Sequence, residues 1–106
     1  MTTFDQRENA FEAEFAHRNE LEFKVRERAV TLLALWAAER LGKPAEAGKA
    51  YARDIVAMDV ESSNPDAVLA RIVKELSARG VGEQDVRKAM DRFRAQADAA
   101  LRGTAS

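Results

Sequence analysis

Apolar residues recur along this chain at spacings of three and four and seldom alternate with polar ones. The pattern therefore predicts helices and no strands. Leu21, Val25, Ala29, Leu32 and Trp36 step by four, four, three and four and share one face, widened by Leu33, Ala37 and Leu41. That spacing predicts a first helix over 21–41, ended by Gly42 and kept from continuing by Pro44. Tyr51, Ile55 and Met58, flanked by Ala52 and Val56, predict a second helix over 45–60. Asn64 is then a good N-cap, and Pro65 suits a first helical position because its missing N–H would have had no partner there. Val68, Leu69, Ile72, Val73 and Leu76 predict a third helix over 65–79. Gly80 is expected just past its end, with Val81 closing a Schellman-type turn. Val86, Met90, Phe93, Ala97 and Leu101 predict a fourth helix that starts near Gly82 or Glu83 and ends about Arg102, before a short tail. The connections are short, which favours antiparallel neighbours. The expected fold is all-α: a four-helix bundle over 21–106, with Trp36 in its core.

Residues 1–20 are not needed for that core. They carry Phe4, Phe11 and Phe15, three of the five phenylalanines in the chain. Phe4, Glu8, Phe11 and Phe15 fall on one helical line, and Asp5, Arg7, Glu12, Glu14 and Arg18 stand between them. Thr3 with Gln6 forms a Thr-x-x-Gln capping box that favours helix initiation near Phe4. The segment reads as an N-terminal amphipathic arm, helical or partly disordered when free, since isolated helices of this length are marginal in water. Each ring is worth roughly 1.5–3 kcal/mol on burial, which a partner groove could collect by helix-in-groove recognition. Two readings stay open: the rings pack on their own bundle or extend its first helix, or they bind a partner.

Composition narrows the classes. Hydrophobic residues at 46% and charged residues at 33% fit amphipathic helices and exclude a wholly disordered chain. The formal net charge of −1 lacks the basic excess that nucleic-acid binding draws on. With no cysteine, disulfides, thiolate metal sites and cysteine nucleophiles are excluded. The longest mainly apolar run, 29–38, is far short of a membrane span, and the polar N-terminus does not resemble a signal peptide. A cytoplasmic monomer is expected.

Candidate chemistry is sparse. His17 is the sole histidine and reads as a solvated surface residue, with a pH-sensing role beside Glu14 or Glu20 as the alternative. Carboxylates two apart, such as Glu12 and Glu14 or Glu20 and Glu22, do not face each other on a helix. The charges of this region are expected to form surface pairs such as Glu20–Lys24 and Glu22–Arg26. Gly80-Val81-Gly82 is too short for a phosphate loop. No catalytic constellation emerges, so the chain is not expected to be an enzyme.

One further pattern is specific. Met1-Thr2-Thr3-Phe4-Asp5-Gln6-Arg7-Glu8, then Glu12, Phe15-Ala16-His17, Glu20-Leu21-Glu22-Phe23-Lys24, Leu32-Leu33-Ala34-Leu35-Trp36-Ala37-Ala38 and Leu41-Gly42 resemble the ATPase inhibitor zeta subunit family of alphaproteobacterial F-type ATP synthases. The second half of the chain matches that family more by pattern than by identity. The resemblance implies a protein that binds the catalytic head of the synthase and inhibits ATP hydrolysis. It would do so by inserting its N-terminal helix between catalytic and non-catalytic subunits. Carried onto this sequence, Phe4, Phe11 and Phe15 would be apolar anchors, and Asp5, Arg7, Glu8 and Glu12 would make polar contacts. The location implied is peripheral to the membrane-bound synthase, without membrane insertion. No cofactor is implied beyond weak ATP or ADP binding on the bundle, to which no residues are assigned. An adenine-nucleotide-sensing helical module with little inhibitory activity is the alternative. The chain departs from the family pattern at Ala13-Glu14 and Arg18-Asn19, which reverse local charges in the arm.

Overall fold

The absence of Gly and Pro between Thr2 and Arg40 leaves nothing in the sequence to interrupt a helix once it has begun. A computed structural model describes the backbone of residues 2–105 and the side chains of residues 18–103. It contains four helices and, among the described residues, no strands: α1 (Thr2–Arg40), α2 (Ala45–Glu61), α3 (Ala67–Ser77) and α4 (Glu83–Ala105). The fold is the all-α four-helix bundle that the periodicity predicts.

The first helix does not begin at residue 21, as its apolar stripe suggested. It runs from Thr2 without a break, so the N-terminal segment is its first half. Among the described side chains, residues 18–20 are exposed, Leu21 is half-buried, and Val25 is the first that is buried.

Helix α1 is the spine. It packs along α2 and along α4, and the short α3 touches all three. The main core joins Val30, Leu33, Ala34, Ala37 and Ala38 of α1 to Tyr51, Ala52 and Ile55 of α2, Val68, Ile72 and Leu76 of α3, and Val86 and Ala89 of α4. A smaller cluster of Val25, Ala29 and Ala97, covered by Met90, Phe93 and Leu101, ties the start of the packed part of α1 to the later turns of α4. Leu101 gives those last turns an anchor, and α4 continues past the expected end at Arg102 to Ala105. Trp36 is not central, contrary to expectation. It packs against the core from its edge, half-exposed, with the Arg40 guanidinium 4.2 Å from its ring centre. The buried face of α1 is centred on Leu33 and Ala37, one residue round from the Leu32–Trp36 line.

The helix ends follow local chemistry. Gly80 N–H donates to Ser77 O at 3.2 Å and Val81 N–H to Leu76 O at 3.1 Å, with Gly80 at φ +79°, which is the Schellman arrangement. Gly42 repeats it: Gly42 N–H donates to Glu39 O and Lys43 N–H to Ala38 O, with φ +75°. Helix α3 is shorter than 65–79 because its approach is a tighter turn. Asn64 Oδ1 accepts from Asp66 N–H at 3.0 Å, and Ala67 N–H reaches back only to Asn64 O at 3.2 Å.

Two stability changes follow. Leu33→Ala, at a fully buried position, is expected to cost about 2–5 kcal/mol in urea or thermal unfolding. Gly80→Ala is expected to cost about 1–2 kcal/mol through backbone strain alone, since nothing lies within 4 Å of a Cβ built there.

Candidate functional site

The residues proposed from sequence as partner contacts, Phe4, Asp5, Arg7, Glu8, Phe11, Glu12 and Phe15, lie outside the described side chains, as does His17. Their backbone belongs to α1. The structure defines the side chains of that helix from residue 18 onward.

Arg26 lies one residue beyond Val25. The expected surface pair with Glu22 does not form. Arg26 instead crosses to α2, donating from Nε to Asp59 Oδ2 at 3.0 Å and from Nη2 to Oδ1 at 2.7 Å. The same Nη2 donates to Pro65 O at 2.8 Å, so one guanidinium binds α1 to the end of α2 and to the connection that follows. The Asp59 side chain is only 4% exposed and that of Arg26 27%, which makes this a largely desolvated, bidentate pair. The expected Glu20–Lys24 pair does form, at 3.4 Å and well exposed. An exposed pair of that kind contributes little.

Glu27 sits beside this pair. Burial, then its hydrogen bond and proximity to Asp59, push its carboxyl up from 4.5 to about 7, with Arg26 opposing. Asp59 moves the other way: burial would raise it, but the hydrogen bonds from Arg26 and Glu27 hold it below the usual carboxylate value. The Asp59 contact in turn raises Arg26. Protonated, Glu27 can donate to the Asp59 carboxylate. Ionised, its buried Oε1 finds no hydrogen-bond donor among the described residues. The arrangement can hold one proton between two carboxyls and release it near neutral pH. The pair that exists joins residues on different helices, and no local spacing signals it.

A second polar link steadies α2 against α3. Tyr51 donates its hydroxyl to Glu75 Oε1 at 2.9 Å, and Arg71 Nε approaches the same oxygen at 3.3 Å. Burial, followed by the contact with Glu75, pushes the Tyr51 hydroxyl up.

The outer side of the α1–α2 pair carries an open groove of about 470 Å³, lined by Thr31 and Leu35 of α1 and by Lys49, Ala52, Arg53, Val56 and Ala57 of α2. Among the described residues the exposed large hydrophobic side chains are Phe23, Leu35 and Val60, all on these two helices. No group of three or more His, Cys, Asp or Glu side chains among the described residues could hold a metal ion. No helix there is long and apolar enough to cross a membrane.

These features define a class of protein: a helical bundle built on one long helix, which a bidentate ion pair fixes to its neighbour. The chain belongs to the ATPase inhibitor subunit zeta family, whose model matches residues 1–100, and the family implies association with an ATP synthase. No curated protein and no solved structure matches the chain.

Between pH 4.5 and about 7 the folded state holds a proton on Glu27 that the unfolded chain has released. Stability should therefore fall across that window, by about 1–3 kcal/mol, and level off above it. The Asp59 contribution has the opposite sign and is lost only on acidification below its ordinary value of 3.8. Glu27→Gln, whose amide can donate to Asp59 at any pH, should flatten the decline in denaturant unfolding measured from pH 4.5 to 8. Arg26→Ala leaves Asp59 buried without its cation and should cost about 3 kcal/mol.

Proposed function

We propose that this protein binds the catalytic head of the F-type ATP synthase and inhibits ATP hydrolysis. The first half of α1 would insert at an interface between catalytic and non-catalytic subunits. The observation that carries this reading is the continuity of α1 from Thr2 to Arg40. In a chain of this inhibitor family, that continuity makes the segment bearing the Phe4, Phe11 and Phe15 line part of the same helix that the bundle holds.

The physical logic is helix-in-groove recognition. The apolar line supplies the affinity, and Asp5, Arg7, Glu8 and Glu12 beside it set register through polar contacts. Because the helix is rooted in the bundle through Arg26 and Asp59, a docked segment cannot turn independently of the bundle. A bundle too bulky to enter the interface then limits the depth of insertion. The protein acts by occupancy and carries no chemical step of its own.

The test is ATP hydrolysis by synthase-bearing membranes from the matching source, with the purified protein added. Inhibition is expected from the full chain, and its loss from a chain lacking residues 1–19. Absence of inhibition by the full chain would overturn the reading. Replacing Phe4 and Phe11 together by Ala should raise the concentration needed for half-inhibition by at least about 100-fold, as expected if two rings worth roughly 1.5–3 kcal/mol each are buried at the contact.

A further inference from the structure

We infer that the groove between α1 and α2 is a docking site for the N-terminal segment of a second copy of this chain. The groove's floor is apolar, from Leu35, Ala52, Val56 and Ala57, and its rim is basic, from Lys49 and Arg53. A second hollow, lined by Glu27, Arg28, Thr31 and Leu32, adjoins it along α1 at Thr31. Leu35 in this floor is one of the exposed large hydrophobic side chains among the described residues, and an exposed apolar surface of this kind marks an interaction site. Lys49 has Glu46 at 3.8 Å in an exposed pair, whereas Arg28 and Arg53 have no carboxylate partner among the described residues.

The occupant that fits is an acidic helix with an apolar line, and this chain contains one. Residues 4–19 place Phe4, Phe11 and Phe15 on one helical line, with four carboxylates, Asp5, Glu8, Glu12 and Glu14, against two arginines, Arg7 and Arg18. The lengths agree. Phe11 to Phe15 spans about 6 Å of helix, within the about 12 Å that Glu27 to Leu35 covers along the two hollows. Helix α1 is unbroken from Thr2 to Arg40, so its first half cannot fold back onto a groove formed by its second half. The segment that fills the groove must come from another molecule. Head-to-tail contacts of this kind are heterologous and need not close into a ring, so the association is concentration-dependent and weak. It competes for the same rings that the proposed inhibitory contact uses, but its existence does not depend on that function.

The experiment uses the full chain and no ATPase. Thr2→Cys provides a unique labelling site, because the chain has no cysteine. A nitroxide is attached there on unlabelled protein, which is mixed with 15N-labelled protein. Protein concentrations are raised to the order of 1 mM, enough to populate a complex worth about 4 kcal/mol. Intermolecular broadening is expected at the amides of Thr31, Leu35, Arg53 and Val56, growing with concentration and weakened by salt. Sedimentation should show self-association in the same range. Leu35→Asp and Arg53→Glu alter exposed side chains, so each should keep the native helical signal and melting temperature while weakening association at least about tenfold. Replacing Phe11 and Phe15 by Ala should do the same from the other side of the contact. No broadening at the highest concentration, broadening centred on α3 or α4, or association that survives both groove variants would each overturn the inference.

Discussion

The packed length of α1 is the constraint on which the rest of the structure depends. Its buried face is built largely from small residues, Ala29, Ala34, Ala37 and Ala38, around Val30 and Leu33. Small side chains let α2 and α4 lie close along the same helix. Gly48 of α2 shows how close: a Cβ added there would stand 3.5 Å from the Ala38 Cβ. With α2 and α4 placed, α3 has only to bring Val68, Ile72 and Leu76 across the remaining opening. Interiors packed at this density transmit rather than absorb displacement. A helix gripped in this way is therefore held rigidly over the part that faces the core.

The Arg26–Asp59 pair acts at the edge of that grip. A desolvated ion pair is not in itself a strong source of stability, because the cost of dehydrating both ions offsets much of their attraction. Its value lies in geometry. Two parallel hydrogen bonds and a third to Pro65 O allow α1 one orientation relative to α2 and its following turn. Glu27 lies in the same cluster, and burial beside Asp59 pushes its carboxyl up. The Glu27–Asp59 contact is favourable while Glu27 is protonated and repulsive once it ionises.

Legibility in the sequence followed the range of the interaction that decided each feature. The four helices and the left-handed turns at Gly42 and Gly80 depend on residues within one or two turns of each other, and the residue pattern revealed them, whereas the expected cap of α3 at Asn64 gave way to a turn that delays the helix to Ala67. Trp36 shows where periodicity alone falls short. Two neighbouring stripes on α1 were both apolar enough to face the core, and the choice between them was made by the positions of α2 and α4. Arg26 is a sharper case. Glu22 stood at the right local spacing to be its partner, and Asp59, distant in sequence, took it. The attraction is stronger where solvent is excluded, and burial is not encoded in spacing.

By itself the sequence determined the fold class, the chain's punctuation and the amphipathic character of the N-terminal segment, because helix formation and side-chain periodicity are local. Its family pattern over the first half also pointed to the inhibitor family that the match over residues 1–100 establishes. Only the tertiary structure decided that α1 is a single helix from Thr2 to Arg40, that Asp59 of α2 meets Arg26 and Glu27 of α1, and that an apolar groove runs between α1 and α2. Each of these depends on which surfaces of separate helices exclude water together, and that is settled only when all four helices have packed.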